Sequence, residues 1–219
     1  GKTVTGFSLL GLVEEPGRIV KGSIKLNGTE LINKNSSELR SLRGREISMI
    51  FQDPIATLNP VLTIGQQMHL AITAHEKMSS KAAEDRCSEM LSKIGIPSSR
   101  ERLKAYPHEF SGGMRQRVAI AIALLHHPSV IIADEPTTAL DVSIQAQILK
   151  EMRIMAAETG TALIWISHDL AVVSSLASKL CVMYAGQIVE YGPTSSILKN
   201  PHHPYTAGLI GSLPAMTKP

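Results

Sequence analysis

Four short stretches carry residue types that can handle a phosphate group. Gly1, Lys2 and Thr3 match the last three positions of the pattern G-x-x-x-x-G-K-[ST]. In such a loop the backbone N–H groups bind phosphate, the Lys ammonium reaches the terminal phosphates, and the Thr hydroxyl binds Mg²⁺. The stretch "VIIADEP" places Asp134 and Glu135 at the carboxyl end of a hydrophobic strand, where open α/β sheets bind their ligands. One carboxylate there can hold Mg²⁺, and the next can polarise a water for attack on a terminal phosphate. In "FSGGMRQR", Ser111, Gly112 and Gly113 open a helix with exposed N–H groups and no side chains in the way, an anion-binding arrangement. In "LIWISHDL", His168 lies just past a strand, where an imidazole can hydrogen-bond a phosphate. Each stretch alone has a plainer reading: a chance tripeptide, a capped turn before Pro136, a Ser N-cap, a structural histidine.

The elements that must position these residues follow from periodicity. From Gly1 to about Gln52 the chain mixes a helix after the Lys-Thr pair, a Gly-punctuated strand region "GSIKLNG" and a β-rich "EISMIF". From Asp53 to about Phe110 the pattern is helical. In "SSKAAEDRCSEMLSKIGIP" the residues Ala83, Cys87, Met90, Leu91 and Ile94 recur at helical spacing, with Gly95 and Pro97 as a stop. From Ser111 onward strand and helix alternate: "VIIA", then a helix with apolar positions Ile144, Ile148, Met152 and Met155, then "ALIWI". "KLCVMYAGQIVEYG" reads as two strands about a turn at Ala185-Gly186. This alternation predicts a largely parallel sheet covered on both faces.

Composition narrows the class. Lys and Arg outnumber Asp and Glu by 22 to 19, an excess too small and scattered to point to nucleic acid. The longest apolar stretch, Val118 to Leu125, is far shorter than the roughly 20 residues that cross a bilayer, so a membrane connection would come through a partner. No signal peptide is visible. Cys87 and Cys181 lie far apart, in a helix and a strand, and read as buried thiols rather than a disulfide. The doublets His126-His127 and His202-His203 stand beside prolines and read as loop histidines rather than metal ligands.

With Gln52 before the helical stretch and Asp141 after the carboxylate pair, the order of these elements resembles the nucleotide-binding subunit of an ATP-binding cassette (ABC) transporter over essentially the whole chain. The resemblance implies an α/β fold: a P-loop NTPase core with a mainly parallel sheet and an inserted α-helical subdomain. It divides the chain into core (1–52), helical subdomain (53–125), core again (126–191) and C-terminal extension (192–219). By that resemblance Gly1, Lys2 and Thr3 end the Walker A loop, Gln52 is the Q-loop glutamine, and Ser111, Gly112 and Gly113 form the signature. Asp134 is then the Walker B aspartate, Glu135 the catalytic base, Asp141 the D-loop aspartate and His168 the switch histidine. ATP is implied, as is Mg²⁺ on Thr3, Gln52 and Asp134. In that family two subunits pair head to tail, each ATP lying between the Walker residues of one and the Ser-Gly-Gly of the other.

Three stretches, "FQDPIATLNPVLTIGQQM", "FSGGMRQRVAIAIALL" and "MYAGQIVEYGPTSSILKNPHHPYTAGLIGSLP", look like the oligopeptide/dipeptide/nickel import ATPases. They imply a second ATPase subunit, two transmembrane permeases, an extracytoplasmic solute-binding protein and a peripheral position on the cytoplasmic face of the membrane, with "DPIATLNPVLTIG" as the docking surface. The usual L-S-G-G-Q is here F-S-G-G-M, with Phe110 and Met114; the Met is similar to that subfamily's own version. No Cys follows Cys181, so no iron-sulfur cluster is inferred. Peptide, nickel or another solute as cargo, and an identical or mixed ATPase pair, stay open. The competing readings are a soluble ATPase of phosphonate metabolism and a nucleotide-binding scaffold without turnover. Gly1 falls at the second glycine of the Walker loop, so the first glycine, the strand feeding it and an adenine-stacking aromatic are expected to precede these residues. The expectation for the 219 residues alone is a gap in the sheet, aggregation and weak ATP binding, each lost charge-assisted bond contributing on the order of 1.5–3 kcal/mol.

Overall fold

The computed structural model describes residues 1–53, 57–137 and 140–212. Helix α1 (Lys2–Leu10) leads to a hairpin of β1 (Lys25–Leu26) and β2 (Thr29–Glu30), and then to α2 (Ser36–Leu42) and β3 (Ile47–Ile50). The hairpin turns at Asn27 and Gly28, both at positive φ, as a two-residue loop between twisted strands demands. Between β3 and the next strand every described regular element is helical: α3 (Ile64–Thr73), α4 (Ser80–Lys93), α5 (Ser99–Arg102), a 3₁₀ turn (Pro107–Glu109) and α6 (Gly112–Leu124). There follow β4 (Val130–Asp134), α7 (Val142–Thr159), β5 (Ala162–Ile166), α8 (Leu170–Leu176), β6 (Lys179–Tyr184), β7 (Gln187–Pro193), α9 (Thr194–Lys199) and α10 (Pro204–Gly211).

The strands β3, β4 and β5 form a parallel sheet in that order, with Ile47 opposite Val130 and Asp134 opposite Ile166. Alternation sends Ile47, Met49 and Ile132 to one face, where α1 lies so close that a Cβ on Gly6 would stand 3.3 Å from both Ile132 and Met49. The opposite face, through Ile50, Ile131 and Ala133, joins a cluster that runs through Met68, Leu91 and Val118 of the helices to Ile148 and Met152 of α7. One apolar core is thus shared by the sheet and the helical stretch. The helix start signals are met by side chains: Thr63, Ser79, Ser111 and Asp141 accept backbone N–H bonds at the N-termini of α3, α4, α6 and α7.

Two expectations are corrected. The sheet is covered on both faces at β3 and β4, but β5 is only half-buried. Among the described residues β5 is an edge strand, and β6 and β7 form a separate antiparallel pair. An open groove of about 620 Å³ lies between β5 and β6, lined by Gly6, Trp165, Met183 and Tyr191 among others. Cys181 is exposed, not buried, because its neighbours Leu180 and Val182 take the inward positions of β6 and period-two alternation turns the thiol outward. Cys87 is buried as expected, and burial raises its thiol to about 11.

Candidate functional site

The carboxyl ends of β4 and β5, the end of β3 and the start of α1 converge. Asp134 closes β4 and is only 2% exposed. The Thr3 hydroxyl, from the first turn of α1, donates to its Oδ1 at 3.3 Å. Burial pushes the Asp134 carboxyl above the usual carboxylate range, and the charge of Glu135 adds to this, while the Thr3 bond and Lys2 pull the other way. A buried carboxylate beside a hydroxyl is a hard-oxygen donor set. Magnesium, which takes one or two carboxylates and completes its shell with substrate phosphates and water, fits that set.

Glu135 is the next residue and leaves the strand with φ 46, a left-handed conformation that costs a non-glycine residue about 1–2 kcal/mol. Its backbone N–H donates to the Ile166 carbonyl at the end of β5 (2.9 Å). The turn aims its carboxylate between two partners: Gln52 Nε2 donates to Oε2 at 3.3 Å, and His168 Nδ1 lies 3.2 Å from Oε1. His168 is 62% exposed while Glu135 is 18% exposed, so the imidazole reaches in from solvent and the carboxylate is the enclosed member.

Thr3, Gln52, Asp134, Glu135 and His168 are therefore one cluster, and Lys2 acts on it through its charge. Gly1 is the N-cap of α1, with its carbonyl bound by the Thr5 N–H and hydroxyl at 3.0 and 2.9 Å. Ser111 and Asp141 cap the N-termini of α6 and α7 instead, and Gly113 packs against Ile144 of α7. Ser111 Oγ accepts from Met114 N at 3.3 Å, and Ser111 and Gly112 are exposed while Gly113 is buried. Asp141 Oδ1 accepts from Ile144 N (3.0 Å) and Ser143 Oγ (2.7 Å), bonds that hold its carboxyl below the usual range. Phe110 is buried under the Arg102 guanidinium, 5.5 Å from the ring centroid.

The histidine doublets have structural partners. His126 Nδ1 pairs with Glu76 at 2.8 Å and Nε2 with the Ala71 carbonyl at 2.9 Å, tying the end of α6 to α3. His202 and His203 donate their backbone N–H groups to Glu190 at 2.9 and 3.3 Å. Among the described residues no group of three His, Cys, Asp or Glu side chains is placed to hold a metal ion. Residues 54–56 of the expected docking loop and 213–219 of the extension lie outside the described residues. Sequence reasoning missed the Ile166 carbonyl, which sets the Glu135 turn; a backbone acceptor leaves no mark in residue type.

Residues 1–138 match the family "ABC transporter", and residues 189–219 match "Oligopeptide/dipeptide transporter, C-terminal region". The chain is 49% identical over 217 residues to the dipeptide transport ATP-binding protein DppD of Bacillus subtilis, covering 99% of this chain and 65% of that protein. It is 48% identical to the oligopeptide transport ATP-binding proteins OppD of B. subtilis and Escherichia coli, covering 99% of this chain and 61% and 64% of theirs. It thus spans less than two thirds of the length of these relatives. The fold is shared with the ATP-binding cassette MJ0796, solved as a dimer in a post-hydrolysis state with ADP and Pi, at TM-score 0.75 and 24% identity over 88% of this chain and 79% of that one. The parallel sheet, the carboxylate pair at its carboxyl edge and both family matches lead to one conclusion: the chain belongs to the ABC transporter family.

Proposed function

We propose that this protein is the ATP-binding and ATP-hydrolysing subunit of an importer for peptides or a related solute. The observation that carries the reading is the Glu135 carboxylate, held between Gln52 and His168 beside the buried Asp134–Thr3 pair. The names of the relatives, dipeptide and oligopeptide transport ATP-binding proteins, supply the cargo class. No helix among the described residues is long and apolar enough to cross a membrane. By its likeness to transport ATP-binding proteins, the protein would work at the cytoplasmic face against two permease subunits. A second cassette would complete the site by presenting its own Ser111–Gly113 and Asp141 counterparts.

In this reading Gly1, Lys2 and the N-terminus of α1 bind the ATP phosphates. Thr3, Gln52 and Asp134 would hold Mg²⁺, which supplies charge neutralisation to the phosphates when bound. Glu135 takes the proton of the attacking water, Gln52 and His168 fix the carboxylate's direction, and His168 holds the γ-phosphate. The domain division 1–52, 53–125, 126–191 and 192–219 follows the same reading. The substitution Glu135→Gln keeps the shape and removes the base; in the intact protein assembled with its permeases, it should retain ATP binding and lose about 10²–10⁴-fold in turnover. Near-wild-type turnover would show that Glu135 is not the base.

A further inference from the structure

The N-termini of α6 and α7 carry the two parts of the proposed site that stand away from the Walker cluster, Ser111–Gly113 and Asp141. Their helices are tied at two levels. In the first turns, Gly113 packs so closely on α7 that a Cβ there would stand 3.0 Å from Ile144 Cγ2. One turn further along α6, Arg117 Nη2 lies 3.4 Å from Glu151 Oε1 of α7. The same guanidinium donates through Nη1 to the Gly95 carbonyl, just past α4, at 2.9 Å. Gly95 has φ +75, and a Cβ there would stand 2.6 Å from Arg117 Nη1, so only glycine lets the arginine so close. One side chain thus gathers three segments, with Arg117 12% and Glu151 21% exposed.

Stability alone does not explain an ion pair in this place. Burial raises the Glu151 carboxyl despite the charge of Arg117, and enclosed ion pairs commonly contribute no more than an apolar filling of the same volume. What a planar, two-pronged guanidinium does supply is fixed geometry between its two acceptors. We propose that Arg117 is a positioning residue, holding Ser111–Gly113 in register with Asp141 so that both reach the second cassette together. The proposal rests on the head-to-tail pairing in the proposed function.

The test compares R117A, R117K and E151Q in the intact protein assembled with its permeases, reading kcat, KM for ATP and Tm. R117A should lower kcat about fivefold or more with KM changed less than about twofold, because the ATP-binding residues Lys2 and Thr3 are untouched. R117K, which restores the charge but not both bonds, should recover part of the loss, and E151Q, whose amide oxygen still accepts from the guanidinium, should keep most of the activity. Should R117A fold poorly, R117M, which keeps the apolar stem, takes its place. Unchanged kcat in R117A or R117M, or a loss in kcat matched by an equal rise in KM, overturns the proposal. Wild-type turnover in E135Q within the same assembly would instead count against the functional reading and leave the joint to be judged on kcat alone.

Discussion

Residue 135 is the centre of the proposed chemistry because three constraints meet on it. The strand delivers it to the carboxyl edge, the Ile166 carbonyl bends its backbone to φ 46, and Gln52 and His168 trap its carboxylate. The residue types at 52, 134, 135 and 168 were legible in the sequence, since each is a donor or acceptor of known use. Their pairing was not: 83 residues separate Gln52 from Glu135, and only the fold turns that distance into a hydrogen bond. His168 gives the residue-scale prediction. Because its side chain is 62% exposed, His168→Ala should leave the melting temperature nearly unchanged, as surface substitutions usually do. It should lower ATP turnover in the assembled protein by about tenfold or more, through a misdirected base. A steady-state assay beside a thermal melt checks both halves, and a large loss of Tm with normal turnover would reverse the assigned role.

At the scale of elements, helical spacing in 80–94 and 144–155 identified the inward positions, and Ala83, Cys87, Met90, Leu91, Ile148 and Met152 are buried. The hairpin of β1 and β2 was less legible, because each strand is two residues long and its anchor is a carboxylate. Glu30 accepts from the Ser23 hydroxyl and from the backbone N–H groups of Ile24, Leu31 and Ile32. The Ser23 bond first, then these N–H bonds, lower its carboxyl from 4.5 to about 2. A carboxylate whose pKa is depressed by folding stabilises the native state above its unfolded value, and that contribution disappears as pH falls through the folded value. Wild-type protein should therefore lose stability between about pH 4.5 and 2, and Glu30→Gln should flatten that part of the profile. Urea melts of the two proteins across this range check it, and superimposable acid limbs would remove Glu30 from the account.

At the scale of the whole molecule, the cluster that contains Ile50 and Ile131 of the sheet also contains Met68, Leu91 and Ile148 of the helices. Ile148 is fully buried at this junction. Ile148→Ala should cost about 2–5 kcal/mol and lower the helical signal in circular dichroism and the fluorescence of Trp165, the single tryptophan, at one common urea midpoint. Two separate midpoints would show that the helical stretch and the sheet unfold independently. Sequence alone determined which residues are available for the proposed chemistry, their order, and the alternation of periods that makes a parallel sheet with a helical stretch inside it. Those are properties of residue type and local spacing, which survive without a fold. Only tertiary structure decided that Gln52, Glu135 and His168 meet, that Asp134 is buried against Thr3, that β5 borders an open groove, and that Arg117 gathers three segments. Each depends on contacts between residues far apart in the chain, and chain closure, not local preference, brings such residues within bonding distance.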